Sequence, residues 1–217
     1  MYKRQYIKGY LEGVICAQQK VYGYNFVEEV ITENVQNELQ KYIKMRLDER
    51  YGVPDTHLYA NMVNAEITAR DRENLLKAAA NVGKVTLYSA SKFSENKIEE
   101  KGIIDYENGM PKVFRGSKIN LNITLRSITS GIPLRALDIM GAGGFLLSNY
   151  QPELAEYFVD GEDMVLFDSA EDMCWKLDYY LKHEEERKRI AKCGYEKIKK
   201  NFSYDVQLKK IMHLVSK

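Results

Sequence analysis

The chain has 217 residues, of which 45% are apolar and 29% are charged, and its formal net charge is +1. This composition is typical of a globular protein with one full core and a smaller helical extension. The near-neutral charge, with basic residues scattered along the chain, gives no electrostatic footprint for a polyanion, so we expect no nucleic-acid partner.

Cysteine usage and hydropathy predict a cytoplasmic protein. The cysteines Cys16, Cys174 and Cys193 are odd in number and far apart, which fits neither a disulfide framework nor a paired metal site. The amino terminus lacks the apolar core of a signal peptide, and no uncharged run approaches the ~20 residues of a transmembrane helix. We therefore expect no membrane span.

Residues 1–69 predict a helical extension. Tyr6, Tyr10 and Val14 recur at helical spacing, and similar stripes follow. The segment YGVPDTH at residues 51–57 joins a proline to a turn-forming aspartate, so it is the best candidate linker.

Residues 70–217 predict an α/β domain. Segments with helical patterns alternate with five short predicted strands, KVTLYS, GIIDY, KINLNIT, GFLLSN and DMVLFD. This alternation favours a Rossmann-like parallel sheet with helices on both faces. Ser169 and Asp172 have capping-box spacing at the start of a helical carboxyl-terminal region.

Three glycines, Gly141, Gly143 and Gly144, lie between a predicted helix and a predicted strand. In a dinucleotide-binding fingerprint the glycines instead follow a strand and open a helix. Glycine at a helix end is typical of a left-handed terminal residue and of close packing of helix on sheet. The cluster is therefore predicted to turn a corner, not to cradle a phosphate.

The amino end of the same helix is the candidate anion site. Ser130 is a suitable N-cap, Gly131 lets a ligand approach the main chain, and Pro133 is tolerated in a first turn. Amides at Gly131 and Ile132 would favour a diphosphate at the positive end of the helix dipole. The alternative, which these residues alone favour, is that Ser130 caps the helix and nothing binds there.

Arginines and a carboxylate extend this candidate site. Arg135 and Asp138 are three residues apart and share the polar face of the helix. They form either a surface ion pair or a ligand contact, and the residues alone leave these two interpretations even. In the second, Asp138 accepts hydrogen bonds from sugar hydroxyls, and Arg135 or Arg126 offsets a phosphate.

Two loops after predicted strands add further candidates. Ligands of open parallel sheets bind beyond the carboxyl ends of the strands, which makes Lys92, Asp105 and Tyr106 possible lining residues. Each of the three is also readable as an ordinary loop residue.

Three sequence blocks carry a family resemblance. They are MPKVFRGSKINLNITLRSITSGIPLRALDIMGAGGFLLSNY, ELAEYFVDGEDMVLFDSAEDM and RKRIAKCGYEKIKKNFSY. In this order and spacing, residues 70–207 resemble the carboxyl-terminal domain of GT-B glycosyltransferases, in the group that includes CgeB-like spore-maturation proteins. The resemblance implies a domain that binds a nucleoside diphosphate sugar, with phosphate contacts at Ser130, Gly131 and Ile132 and a ribose contact at Asp138.

The chain departs from the family's pattern of two glutamates separated by seven residues. Asp138 stands at the second position and Ser130 at the first, which leaves the sugar and the stereochemistry undecided. The histidines are dispersed and no Asp-x-Asp pair occurs, so we expect no metal or other cofactor. The helix terminus and arginines would offset the charge of the leaving group.

The resemblance also implies partners. A GT-B enzyme works between two such domains, so the implied partner is a missing amino-terminal acceptor domain or a second copy of the chain, and the chain is expected to be incomplete as an enzyme. A non-catalytic nucleotide-sugar-binding or assembly module is the alternative function. A purely structural helical interaction protein is a third.

Overall fold

The computed structural model describes residues 2–43, 55–90, 92–93 and 95–215. The chain divides into two compact units. The helical unit comprises Met1–Glu73 and Thr124–Thr129, and the α/β unit comprises Asn74–Ile123 and Ser130–Lys217.

The helical unit contains α1 (Tyr2–Gln18), α2 (Val27–Val30), α3 (Glu33–Gln40) and the first part of α4 (Asp55–Val82). Residues 51–54 of the predicted linker lie outside the described residues, and α4 begins at Asp55. The boundary predicted between residues 69 and 70 falls inside α4.

One apolar cluster holds the helical unit together. Its buried members come from the inner faces of these four helices and from the short connection between α2 and α3. They are Ile7, Val14, Ile15, Val27, Ile31, Val35, Leu39, Tyr59, Ala60, Val63 and Ile67. The predicted inner face of α1 was wrong at its first residue: Tyr6 is 68% exposed, and the next residue, Ile7, is buried instead. Tyr10 is half-buried, and its hydroxyl donates a 2.6 Å hydrogen bond to the carbonyl of Val30.

The described part of the α/β unit has five short strands: β1 (Val85–Leu87), β2 (Ile98–Glu100), β3 (Asn120–Asn122), β4 (Leu146–Asn149) and β5 (Val165–Phe167). β1 pairs with β2, and β3, β4 and β5 form a second sheet in that order, with every pair parallel. Every residue of β4 and β5 is buried. A strand buried along its whole length is covered on both faces, so the predicted Rossmann-like α/β fold is confirmed.

Within the described residues, the end of α4 and six further helices complete this unit. The six are α5 (Met110–Gly116), α6 (Leu134–Gly141), α7 (Pro152–Tyr157), α8 (Ala170–Lys182), α9 (Glu184–Asn201) and α10 (Tyr204–Val215). Ser169 is the predicted N-cap of α8, and its Oγ accepts a 3.1 Å hydrogen bond from the amide of Asp172. The Asp172 carboxylate accepts in turn from the amide of Asp168, one residue before the cap.

The predicted strand GIIDY is absent from this fully described stretch. The partner of β1 is instead Ile98–Glu100, in the register Val85↔Ile98. Asp105 is not available for strand pairing, because its carbonyl accepts hydrogen bonds from the amides of Gly109 and Met110 at the start of α5. The main chain that a strand would need is thus used in a turn.

The glycine cluster ends α6 and turns the chain into β4, as predicted. The amide of Gly143 donates to the carbonyl of Met140 and that of Gly144 to Ile139, each at 2.9 Å. This is the bonding pattern of a Schellman motif, and the φ of +78° at Gly143 is its left-handed residue. A Cβ on Gly144 would lie 2.6 Å from the carbonyl oxygen of Phe114, so helix, strand and glycine pack too closely for a side chain.

Candidate functional site

The start of α6 differs from the sequence prediction. The helix begins at Leu134, and its N-cap is Pro133, not Ser130. A residue that precedes proline is disfavoured in helical conformation, so Ile132 cannot be the first helical residue. Ser130 lies outside the helix and is exposed, and the N-cap prediction was therefore wrong.

Open amide groups surround this helix start. Among the described residues, no acceptor is bonded to the amides of Gly131, Leu134 or Arg135. Gly131 has a φ of +88°, and apart from its chain neighbours no atom of the described residues lies within 4 Å of the position its Cβ would take. Unpaired amides at the positive end of a helix dipole favour an anion.

Asp138 lies one turn further along α6. Its Oδ2 accepts a 2.6 Å hydrogen bond from the hydroxyl of Tyr106. Its Oδ1 has no hydrogen-bond donor among the described residues. Tyr106 thus holds the carboxylate in place and leaves one of its oxygens able to accept from a ligand hydroxyl.

The charges of Asp138 and Arg135 both affect the pKa of Tyr106. The hydrogen bond to Asp138 raises the pKa of Tyr106, with smaller contributions from burial and from the Asp138 charge. The positive charge of Arg135 opposes this rise. The Arg135 guanidinium lies 5.5 Å from the centroid of the Phe114 ring, and its side chain is exposed. A cation and a carboxylate therefore flank the same helix start.

The remaining predicted residues of the α/β unit have different surroundings. Ile132 is half-buried and packs against the core around α6, so its side chain anchors the loop. The Oδ1 atom of Asp105 accepts a 2.6 Å hydrogen bond from the amide of Asn108, within its own turn. Lys92 is exposed in a loop whose residues 91 and 94 lie outside the described residues.

Arg126 belongs to the helical unit, where 7% of it is exposed. Its Nε donates a 2.7 Å hydrogen bond to Asp71, and Nη1 donates a 2.6 Å bond to the carbonyl of Val21. The guanidinium carbon lies 4.5 Å from the centroid of the Tyr22 ring. Arg126 thus ties residues 124–129 to the helices, and we leave it out of the candidate site.

Sequence reasoning missed two features of the site. Leu134 is apolar and belongs to the predicted helix, yet it is 74% exposed and contributes an open amide. Tyr204 at the start of α10 is near enough for its phenolate, once ionised, to raise the pKa of Tyr106. No local pattern marks Tyr204, because it is 98 residues after Tyr106 and fully outside the core.

No described helix is long and apolar enough to cross a bilayer. In the same part of the chain, no three histidine, cysteine, aspartate or glutamate side chains come together as a metal site.

Comparison with known proteins identifies one relationship. Residues 70–213 match the family model described as glycosyl transferase-like, which is about two thirds of the chain. The matched range contains all five strands and every candidate residue. No curated protein and no solved structure matches the chain.

Proposed function

Because the chain belongs to the glycosyl transferase-like family, we propose that its α/β unit binds a nucleoside diphosphate sugar and donates the sugar to an acceptor. The single observation that carries this proposal is the Asp138 carboxylate, held by Tyr106 on one oxygen and open on the other, one turn from unpaired amides. Asp138 is four residues after Leu134, a rise of about 6 Å along the helix. One small ligand could therefore contact the amides with its anionic group and Asp138 with a hydroxyl group.

In the proposed complex the diphosphate lies at the start of α6. The amides of Leu134 and Arg135 donate to its oxygens, and Gly131 leaves the space that a close approach needs. Oδ1 of Asp138 accepts from a ribose hydroxyl. Ser130 and Ile132 belong to the loop that surrounds the phosphates.

The same groups would assist the leaving group. When the bond between sugar and diphosphate breaks, negative charge grows on the diphosphate, and fixed donors already aimed at it stabilise that charge. The Arg135 guanidinium adds a cation with a geometry suited to phosphate oxygens. We propose that this set acts without a metal ion.

The proposal includes the place of the chain in a larger enzyme. We propose that the α/β unit is the carboxyl-terminal half of a cytoplasmic GT-B enzyme of the CgeB-like group. An amino-terminal domain or a second copy of the chain would supply the acceptor side. Alone, the chain is expected to bind nucleotide weakly and to show little or no turnover.

Calorimetric titration with UDP, GDP and their sugars tests the proposal. At least one of these ligands is expected to bind, and Asp138→Ala is expected to weaken it about tenfold, the effect of a lost hydrogen bond to a charged group. Glu196→Ala, which removes an exposed carboxylate from α9, is the matched control and should leave the affinity unchanged. Unchanged affinity in Asp138→Ala would remove Asp138 from the site.

A non-catalytic nucleotide-sugar-binding module is the second candidate. One observation favours it: Ser130 is exposed outside α6 and supplies no carboxylate to a transferred sugar. Release of free sugar or of nucleoside diphosphate, measured over hours at high protein concentration, separates the two. If the chain binds a nucleotide sugar tightly but releases neither sugar nor nucleoside diphosphate, even with the amino-terminal acceptor domain added, the result would favour the non-catalytic module.

A further inference from the structure

A column of stacked rings runs along the surface of α8. Trp175 stacks on Tyr179, with centroids 5.4 Å apart and planes 14° apart. Tyr179 stacks on His183 at 3.9 Å and 16°. The spacing of four residues places the three rings one above another on a single helix face. We call Trp175, Tyr179 and His183 the aromatic column.

The inner part of the column is fixed. The Tyr179 hydroxyl donates a 2.9 Å hydrogen bond to Glu186, and a nitrogen of His183 lies 2.7 Å from the Tyr179 carbonyl. Tyr179 also packs edge-on against Tyr180, whose ring centroid is 4.9 Å from that of Phe145 in the core. A ring held this way loses little freedom when a ligand binds to the column.

The outer end of the column is open. Trp175 is 63% exposed, and within the described part of the chain its indole N–H has no acceptor and its ring contacts no ring other than Tyr179. A tryptophan is among the most costly side chains to leave in water, because its apolar surface is the largest. The face directed away from Tyr179 can therefore take another flat or weakly puckered ring.

The charges near Trp175 decide which ring fits. Glu171 is exposed one turn earlier, on the same side of α8, and its carboxylate forms no hydrogen bond or ion pair among the described residues. The neighbouring cations Lys176 and Lys182 are paired with Asp172 and Asp178. An uncommitted carboxylate disfavours a phosphorylated nucleotide and accepts hydrogen bonds from neutral hydroxyl groups.

We infer that the outer face of Trp175 binds a neutral saccharide ring, with Glu171 and the indole N–H as its polar contacts. Sugar C–H groups carry partial positive charge and suit the electron-rich face of an indole. This inference rests on the proposed function, since a saccharide is the acceptor class that a glycosyl-transferring domain would hold. It adds one saccharide contact on α8 to the acceptor contacts that the amino-terminal domain or the second copy would supply.

Trp175 is the single tryptophan of the chain, so its fluorescence reports directly on this site. Titration with maltotriose, cellotriose and chitotriose is expected to shift or quench the emission saturably with at least one of them. Trp175→Ala should weaken that trisaccharide at least about tenfold in saturation-transfer NMR. Glu171→Gln should weaken it less, and Tyr204→Ala, which removes an exposed ring from α10, should leave it unchanged.

The inference is overturned if none of the three trisaccharides binds, or if Trp175→Ala binds them as the wild type does. Preference for a thymidine trinucleotide over all three sugars would also overturn it. UDP and GDP titrations of Trp175→Ala separate this site from the donor site, and nucleotide binding should be retained. Saccharide binding in a protein that binds no nucleotide would support the Trp175 site and contradict the proposed function.

Discussion

The hydroxyl of Tyr106 donates a 2.6 Å hydrogen bond to Oδ2 of Asp138, between two residues 32 positions apart. Tyr106 comes from the loop before α5 and Asp138 from the polar face of α6. The bond orients a carboxylate beside open amides, and it gives the candidate site a measurable internal contact.

Removal of this hydroxyl should weaken nucleotide binding without unfolding the protein. Tyr106→Phe leaves the ring in place and takes away the donor that orients Asp138. We expect the affinity for the best nucleotide to fall about three- to tenfold, the value of one hydrogen bond. Tyr6→Phe is the control, because Tyr6 is 68% exposed in α1 and donates to no acceptor in the described residues. Equal affinities of both variants and the wild type would contradict the orienting role.

The ionisation of Tyr106 should depend on Asp138. The hydrogen bond favours the protonated phenol, so the pKa of Tyr106 is raised above its usual value of about 10. The associated stability is present below pH ~10 and is lost as the pH rises through the folded-state pKa. In Asp138→Asn the pKa should fall toward its usual value. NMR of the tyrosine ring carbons measures the pKa of Tyr106 in the wild type and in Asp138→Asn, with the Tyr106 signal assigned through Tyr106→Phe. The same pKa in the two proteins would show that the hydrogen bond is not populated.

The glycines after α6 should respond differently to alanine. Gly144→Ala places a Cβ 2.6 Å from the Phe114 carbonyl oxygen and 2.7 Å from the side-chain nitrogen Nδ2 of Asn120, so we expect a loss of at least about 2 kcal/mol in unfolding free energy. Gly141→Ala is the matched control, since its nearest neighbour is a methyl group of Ile198 at 3.6 Å. It should be neutral or stabilise the helix by up to about 1 kcal/mol. Denaturant unfolding checks both, and similar losses would contradict the packing described.

The buried ion pair of the helical unit should be strongly coupled. Asp71→Ala leaves the Arg126 charge buried without its partner, so unfolding free energy should fall by about 3–5 kcal/mol. Adding Arg126→Met should restore part of that loss, because the stranded charge is then gone. Denaturant unfolding of both variants is the measurement. Additive losses would show that the two side chains do not interact.

The sequence predicts the elements of this fold where apolar residues are periodic. The strands around Leu121, Leu147 and Leu166 and the Ser169 cap are confirmed, because each depends on residues close in the chain. β2 was missed, since Ile98 is its one apolar residue and Glu99 contacts Lys84 and Lys101 in solvent instead of a core.

Two residues of the candidate site were predicted separately, and their contact was not predicted. Tyr106 and Asp138 were each predicted to be candidates, yet nothing in their spacing indicates that they meet. The start of α6 was placed too early because Ser130 is a good cap in isolation, whereas the conformation of Pro133 decides where the helix begins. Arg126 pairs with Asp71 across 55 residues, a separation at which local patterns carry no information.

A crystal structure of the chain soaked with the nucleoside diphosphate that binds most tightly tests the central claim most directly. We predict phosphate oxygens within hydrogen-bond distance of the Leu134 and Arg135 amides, and a ribose hydroxyl on Oδ1 of Asp138 with the Tyr106 bond intact. A nucleotide bound elsewhere on the α/β unit, with these amides still exposed to water, would contradict it.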